Sequence, residues 1–188
     1  MIPSLKTLAF KDTPIPYDGS SLSPHWIYRR FDLLGDALVA FVGPAQVSLD
    51  HMVDLEDVKA KAPIYSPQML HFQAEWFMDS LDMGILLQHL LVGIVYQRLW
   101  EKGGRDLSRR GNDLFYDKRK LSVSVTTRSA VSVLLHLGLN IETEGTPIPT
   151  SGLKELWVDP WELTEEVFEK FQQDIQGFKK SRVKVLSR

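Results

Sequence analysis

Apolar and polar positions change their period along the chain, and each change predicts an element boundary. The first 24 residues hold Pro3, Pro14, Pro16 and Pro24. Proline fixes φ and removes a ladder donor, so this stretch predicts loop with room for one short edge strand. His25–Leu34 reads either as a short helix or as a strand ending in a turn at Gly35. Ala37–Gly43 is a short apolar run bounded by glycine and proline, the mark of a buried strand. In Leu49–Lys61, Met52, Val53, Leu55 and Val58 are spaced for a helix, with Asp50 as its N-cap and Pro63 as its stop. Met69–Phe77 is rich in aromatics and predicts a strand. Ser80–Lys102 predicts a helix capped by Asp79 or Ser80 and closed by Gly103-Gly104. It is apolar on nearly every face, so it is expected to be the central buried helix.

From Asp106 the period falls to two. Asp106–Tyr116, Arg119–Thr127 and Ala130–Ile141 predict three antiparallel strands in a meander, with Asp117-Lys118 as the first turn. A loop covers PIPTSG after Gly145. Asp159-Pro160-Trp161-Glu162 then starts a helix, with a cap, a proline at the first position and an acid in the first turn. Leu163, Val167, Phe171 and Ile175 form its i, i+4 stripe. The tail from residue 179 places five cations in ten residues, which reads as a solvated end complementing the helix dipole.

The sum is an α+β fold, a mostly antiparallel sheet packed by helices. Its 188 residues suit one domain, with residues 1–24 as a loop-rich segment and 159–188 as a terminal helix and basic tail. Hydrophobic residues make up 44% and charged residues 24%, enough for a real core. The net charge of -2, from 22 basic and 24 acidic side chains, gives no pull toward nucleic acid or an anionic membrane. No cysteine is present, which excludes disulfides, thiolate metal sites and thiol nucleophiles and fits a cytoplasmic location. The N-terminus lacks the pattern of a signal peptide, and Gly84–Trp100 is interrupted by Gln88, His89, Gln97 and Arg98, so no membrane span is expected.

Strand parity singles out candidate site residues. Leu121, Val123 and Val125 share one face, and Lys120, Ser122, Ser124 and Thr126 the other. In the next strand Val133, Leu135, Leu137, Leu139 and Ile141 are apolar, while Ser132, His136, Gly138 and Asn140 stand opposite. Both strands are therefore expected to turn an apolar face to the core and a small polar face elsewhere, which is either solvated surface or the wall of a pocket. Gly138 would let a ligand approach closely. HWIYRR, His25–Arg30, is a candidate anion site through His25 and Arg29, with Asp18 nearby in sequence, or else an aromatic plug with surface arginines. Arg109 and Arg110 point opposite ways, so only one faces the pocket side. Glu75 reads as a buried carboxylate and His89 as a hydrogen-bonded core histidine. His51, Asp54 and Asp57 share a helix face, but a solvated turn explains them, and no metal site is expected. Neither a serine-hydrolase pattern nor a phosphate-binding glycine loop is present.

GNDLFYDKRKLSVSV, Gly111–Val125, followed by LHLGLNI, Leu135–Ile141, resembles the central segment of the biotin and lipoate protein ligases, a class II aminoacyl-tRNA synthetase-like fold. Tyr17–Ser20, His25–Arg29, Leu34–Asp36, Met52–Asp57 and Arg109–Asp113 also resemble an uncharacterised prokaryotic family, domain of unknown function 366. The ligase resemblance implies that Lys120 is catalytic, contacting a carboxylate and a phosphate as an acyl-adenylate forms. It implies that Asn112 and Asp113 lie near nucleotide and metal, Asn140 near the adenylate, and Arg110 or Arg29 in place of an absent Gly-Arg-rich loop. ATP with magnesium is implied by resemblance only. The glycine that follows the ligase lysine is absent here, as is a cap domain. Three functions stay open. The first is an adenylate-forming ligase or acyltransferase, the second a non-catalytic module binding a carboxylate-bearing small molecule, and the third a structural homodimer.

Overall fold

The computed structural model describes residues 5–61 and 64–186. A five-stranded sheet has the order β1-β2-β3-β8-β7, formed by β1 (Lys6–Phe10), β2 (Ala37–Val47), β3 (Ile64–Trp76), β8 (Val133–Glu142) and β7 (Ser122–Arg128). Edge strand β1 pairs parallel to β2, and the other pairs are antiparallel. A second, three-stranded sheet holds β4 (Leu107–Arg110), β5 (Asp113–Tyr116) and β6 (Arg119–Lys120). The helices are α1 (Trp26–Phe31), α2 (Leu55–Ala60), α3 (Leu81–Glu101) and α4 (Pro160–Val183).

One face of the large sheet carries Leu70, Phe72 and Ala74 of β3 beside Leu135, Leu137 and Leu139 of β8. These pack on Leu91, Val92, Val95 and Leu99 of α3 and on Leu163, Val167 and Phe171 of α4. Truncating a fully buried phenylalanine such as Phe171 costs about 3–5 kcal/mol. On the other face Ala37, Val39 and Phe41 are covered by Ile15, Tyr17 and Ile27.

Local chemistry sets the ends of the elements. Asp159 accepts from the amides of Trp161 and Glu162 to cap α4, and Ser80 accepts from Met83 to cap α3. Asp117 and Lys118, with φ 48° and 62°, make the two-residue turn that the right-handed twist of a hairpin favours. At Gly43 a Cβ would lie 2.0 Å from the Ile15 carbonyl oxygen. The N-terminal segment therefore passes directly over β2, where the register with β3 shifts between Gly43 and Ala45.

Four expectations are corrected. Leu49–Lys61 is not one helix: a short turn at Leu49–His51 precedes α2, and Asp54, not Asp50, is the cap, accepting from Glu56. The stop assigned to Pro63 lies outside the described residues. Asp106–Tyr116 folds into two strands around Gly111-Asn112, with Arg110 opposite Asp113. Arg119–Thr127 is broken at Leu121, so β6 joins the small sheet and β7 the large one, and the three-strand meander does not form. Lastly, α3 is buried on one side only: Leu86 is 63% and Ile85 38% exposed, because no second layer covers it.

Replacing Gly43 with alanine drives a methyl group into backbone and is expected to destabilise strongly. At Gly177, inside α4, a Cβ meets nothing within 4 Å, so Gly177→Ala is expected to stabilise by roughly 1 kcal/mol. Urea denaturation of the two variants checks both signs.

Candidate functional site

The break at Leu121 puts Lys120 at the β7 edge of the large sheet, where two hollows meet. The Leu121 amide donates to the Leu114 carbonyl at 2.8 Å, its carbonyl accepts from Asn140 at 3.0 Å, and its side chain is fully buried. Neighbouring Lys120 is therefore held tightly by its backbone. Its ammonium pairs with Asp113 at 3.1 Å.

The first hollow, a polar chamber of about 220 Å³, is lined by Asn112, Asp113 and Lys120 and closed across by Asp54, Glu56 and Asp57. Tyr17, His51, Val125 and His136 also line it. The second is an apolar slot of about 280 Å³, lined by Ile64, Met69, Val123 and Ile148, with Lys61 and Asn140 as polar contributors. Lys120, Asp57, Ile64 and Val123 belong to both. Charge divides the two. The slot carries Lys61 and Lys120 against Asp57, while the chamber carries Lys120 against Asp54, Glu56, Asp57 and Asp113. Partial burial raises the Asp57 carboxyl above its ordinary range, and Asp54 beside it adds to the shift.

Below the chamber lies a buried aromatic stack. The Tyr17 and His136 rings are parallel, 8° apart with centroids at 3.7 Å. His71 Nδ1 lies 3.0 Å from His136 Nε2, and His71 Nε2 lies 3.1 Å from the Gly43 carbonyl. A carbonyl only accepts, so His71 carries its proton on Nε2. Its Nδ1 then accepts, His136 donates from Nε2, and His136 Nδ1 keeps an acceptor lone pair. Burial pushes His71 down from 6.5 to about 4 and His136 well below its ordinary value, with His71 adding to the latter shift. Burial likewise holds the Tyr17 phenol far above its ordinary value.

The sequence-derived site residues divide between this region and others. Lys120, Asn112, Asp113, Ser124 and His136 line the chamber, and Lys120 and Asn140 line the slot. The parity assigned to β7 is corrected, because Ser122 and Ser124 stand opposite Leu139 and Leu137, and directly paired residues share a face. Ser122 Oγ accepts from the Leu114 amide, and Ser124 Oγ accepts from Gln88 and donates to the Asn112 carbonyl. Those hydroxyls hold the small sheet and α3, so Ser122 is withdrawn from the hollows and Ser124 reaches the chamber with its hydroxyl already bonded, beside Val123 and Val125. A Cβ on Gly138 would lie 2.6 Å from Met69 Cε, so the space it leaves is filled by Met69.

Asp18, His25, Arg29 and Arg110 do not line the chamber or the slot. Asp18 accepts from the Ser20 amide and hydroxyl, bonds that lower its carboxyl below the usual range. His25 has φ 61° and donates its amide to Glu75, which also accepts from Ser132. Arg29 lies in the last turn of α1, and Arg110 lies over the Phe115 ring. Arg109 reaches Nδ1 and the carbonyl of His89. Sequence reasoning missed Tyr17, Val125 and Glu56 as site residues, and the slot wall apart from Lys120 and Asn140. For Tyr17 and Glu56 the signal was the YDGS and MVD-ED patterns, which carry no chemistry until the chain brings them against β7.

A match to the family described as Domain of unknown function (DUF366) spans residues 6–186. The chain belongs to that family. A protein of unknown function from Pyrococcus horikoshi is similar over 98% of this chain and 100% of its own, at 38% identity and TM-score 0.93. Protein Ta0514 from T. acidophilum, solved with bound lipoic acid, matches at 13% identity and TM-score 0.60 over 93% of this chain and 87% of its own. The biotin protein ligase of Aquifex aeolicus matches at 15% and 0.53, over 96% and 72%. This member of DUF366 thus has the biotin/lipoate ligase-like fold. Among the described residues no helix is long and apolar enough to cross a membrane.

The fold class brings ATP with magnesium into question, and the chamber does not fit it. Among the described residues its one lysine faces four carboxylates, an environment that repels a triphosphate carrying no metal. No group of three or more His, Asp or Glu among the described residues is placed to hold a metal ion.

The histidine pair sets a pH dependence. Folded His71 stays neutral down to about pH 4, whereas the unfolded chain takes up its proton near pH 6.5. Stability is therefore complete above that value and falls as pH drops through the window between them. Urea titrations from pH 7.5 to 4.5 should show this slope, flattened in His71→Gln/His136→Gln.

Proposed function

We propose that the protein binds a small carboxylic acid, with its apolar body in the slot and its carboxylate toward Lys120. The observation that carries this is the position of Lys120 at the mouth of an apolar slot whose other charges are Lys61 and Asp57. Only one of the ammonium's three donors is needed for Asp113, and the others remain for a ligand oxygen. Ile64, Met69, Val123 and Ile148 offer an apolar body the dispersion contacts and dehydration that favour binding. The presence of lipoic acid, a carboxylic acid with an apolar body, in the fold-related Ta0514 supports the same class of ligand.

Backbone constraint gives Lys120 its role. The Ser151 amide donates to the Lys120 carbonyl, and the Lys120 amide donates to Pro149. Its backbone is held by β5 on one side and by the Pro149–Ser151 segment on the other, and Asp113 holds its ammonium, so less orientational freedom is lost when a ligand arrives. Asn140 stands on the slot side as a second polar contact.

Octanoate is the simplest probe. It is expected to raise the melting temperature in a saturable, concentration-dependent way. Lys120→Ala should weaken binding about ten- to a hundredfold, the worth of a charged hydrogen bond, and Lys61→Ala by less. Octanol, lacking the charge, should bind more weakly than octanoate. Equal affinity of the parent protein and Lys120→Ala for octanoate would refute the assignment. Pyrophosphate release from ATP with the same acid would extend the function to an acyl-activating enzyme.

A further inference from the structure

We infer that the polar chamber beside the slot binds a second kind of ligand, a protonated primary amine. Four carboxylates, Asp54, Glu56, Asp57 and Asp113, line a hollow whose single cation is Lys120. Lys120 is paired with Asp113 and also acts on Asp57, so a single ammonium answers the four carboxylates on the described chamber wall. Of Asp54, Glu56 and Asp57, Asp57 is the most enclosed, and it sits between Lys120, Asp113 and Asp54. An added ammonium would offset that concentration of negative charge, while an added anion would increase it.

A second observation stands apart from charge. Tyr17 is 5% and His136 3% exposed, and both line the chamber. The Tyr17 hydroxyl makes no hydrogen bond with another described residue, and His136 Nδ1 is the lone-pair end of the histidine chain. Neither is a sealed-off atom without a partner; among the described residues those are only Arg98 Nε and Thr126 Oγ1. Both residues line the chamber, so an occupant of the hollow can supply the partner that these polar groups lack. His136 Nδ1 can only accept, so the missing partner is a donor. A primary ammonium carries three donors and one positive charge, which meets the lone pair, the phenol oxygen and the carboxylates together. A metal ion is a poorer occupant, because among the described residues no three ligating side chains converge.

The amine site adjoins the carboxylate site in the slot, with Lys120 and Asp57 on the shared wall, and is read separately. Isothermal titration calorimetry on the full chain, with putrescine and butylamine as probes, tests it. Both are expected to bind saturably at millimolar concentration or below. Asp57→Asn should weaken them about tenfold, and Tyr17→Phe, which keeps the ring stack, by a smaller factor. Tetramethylammonium, a cation without donors, should bind at least about tenfold more weakly than butylamine. Asp57 lies on the partly exposed α2, so its variant is expected to fold, and an unchanged melting temperature checks this. The inference is overturned by the absence of saturable heat with either amine, by equal affinity in Asp57→Asn, or by equal binding of tetramethylammonium. Displacement of putrescine by stoichiometric magnesium would overturn it in favour of a metal site. Octanoate is titrated into the unsubstituted protein without amine and read through Lys120→Ala and Lys61→Ala, so failure of one site is told apart from failure of the other.

Discussion

Leu121 connects two sheets that would otherwise have no reason to meet. Its side chain is fully buried in the helix-side core, and its amide and carbonyl bond in opposite directions, to β5 and to β8. A strand that continued straight would carry Lys120 along the large sheet. Instead the chain leaves one ladder and joins another within two residues, and the lysine is left at the seam. Chamber and slot both exist because of that seam: the small sheet forms one wall, β7 and β8 the floor, and the segment around α2 the opposite wall.

The two hollows share a lysine but differ in what they can stabilise. Mixed charge on a cavity wall is resolved by distance and burial rather than by counting. Lys61 and Asn140 bias the slot toward an anion, whereas the carboxylates around α2 bias the chamber toward a cation. The stacked Tyr17 and His136 rings add a donor-seeking floor under the chamber alone. The ligase-like fold has thus been furnished with side chains unsuited to a bare triphosphate. Kinship of fold and kinship of chemistry are separate questions here.

Much of the fold was legible beforehand. The Asp159-Pro160 start and the Leu163, Val167, Phe171, Ile175 stripe describe α4 as it stands, because a cap and a helical period act within a few residues. Ser80 as a cap and Asp117-Lys118 as a turn are local in the same sense. The errors were non-local. The split of Arg119–Thr127 depends on Leu114 and Asn140, distant in sequence. The mistaken facing of Ser122 and Ser124 followed from assuming that polar means outward, when Gln88 and the Leu114 amide were waiting on the inner side. α3 was read as buried all round because its composition is apolar, yet burial depends on whether a neighbour exists.

By itself the sequence determined the α+β class, the main helices and strands, and the presence of Lys120, Asn112 and Asp113 in one short stretch. These follow from periodicity, capping and turn chemistry, all of which act over short range. Tertiary structure alone decided which side of β7 meets the helices, that Tyr17 stacks on His136, and that α2 sets its carboxylates opposite Lys120. Those outcomes rest on contacts between residues far apart in the chain. Such contacts are selected by the total of buried area and satisfied hydrogen bonds, a property of the whole fold that no short window of sequence contains.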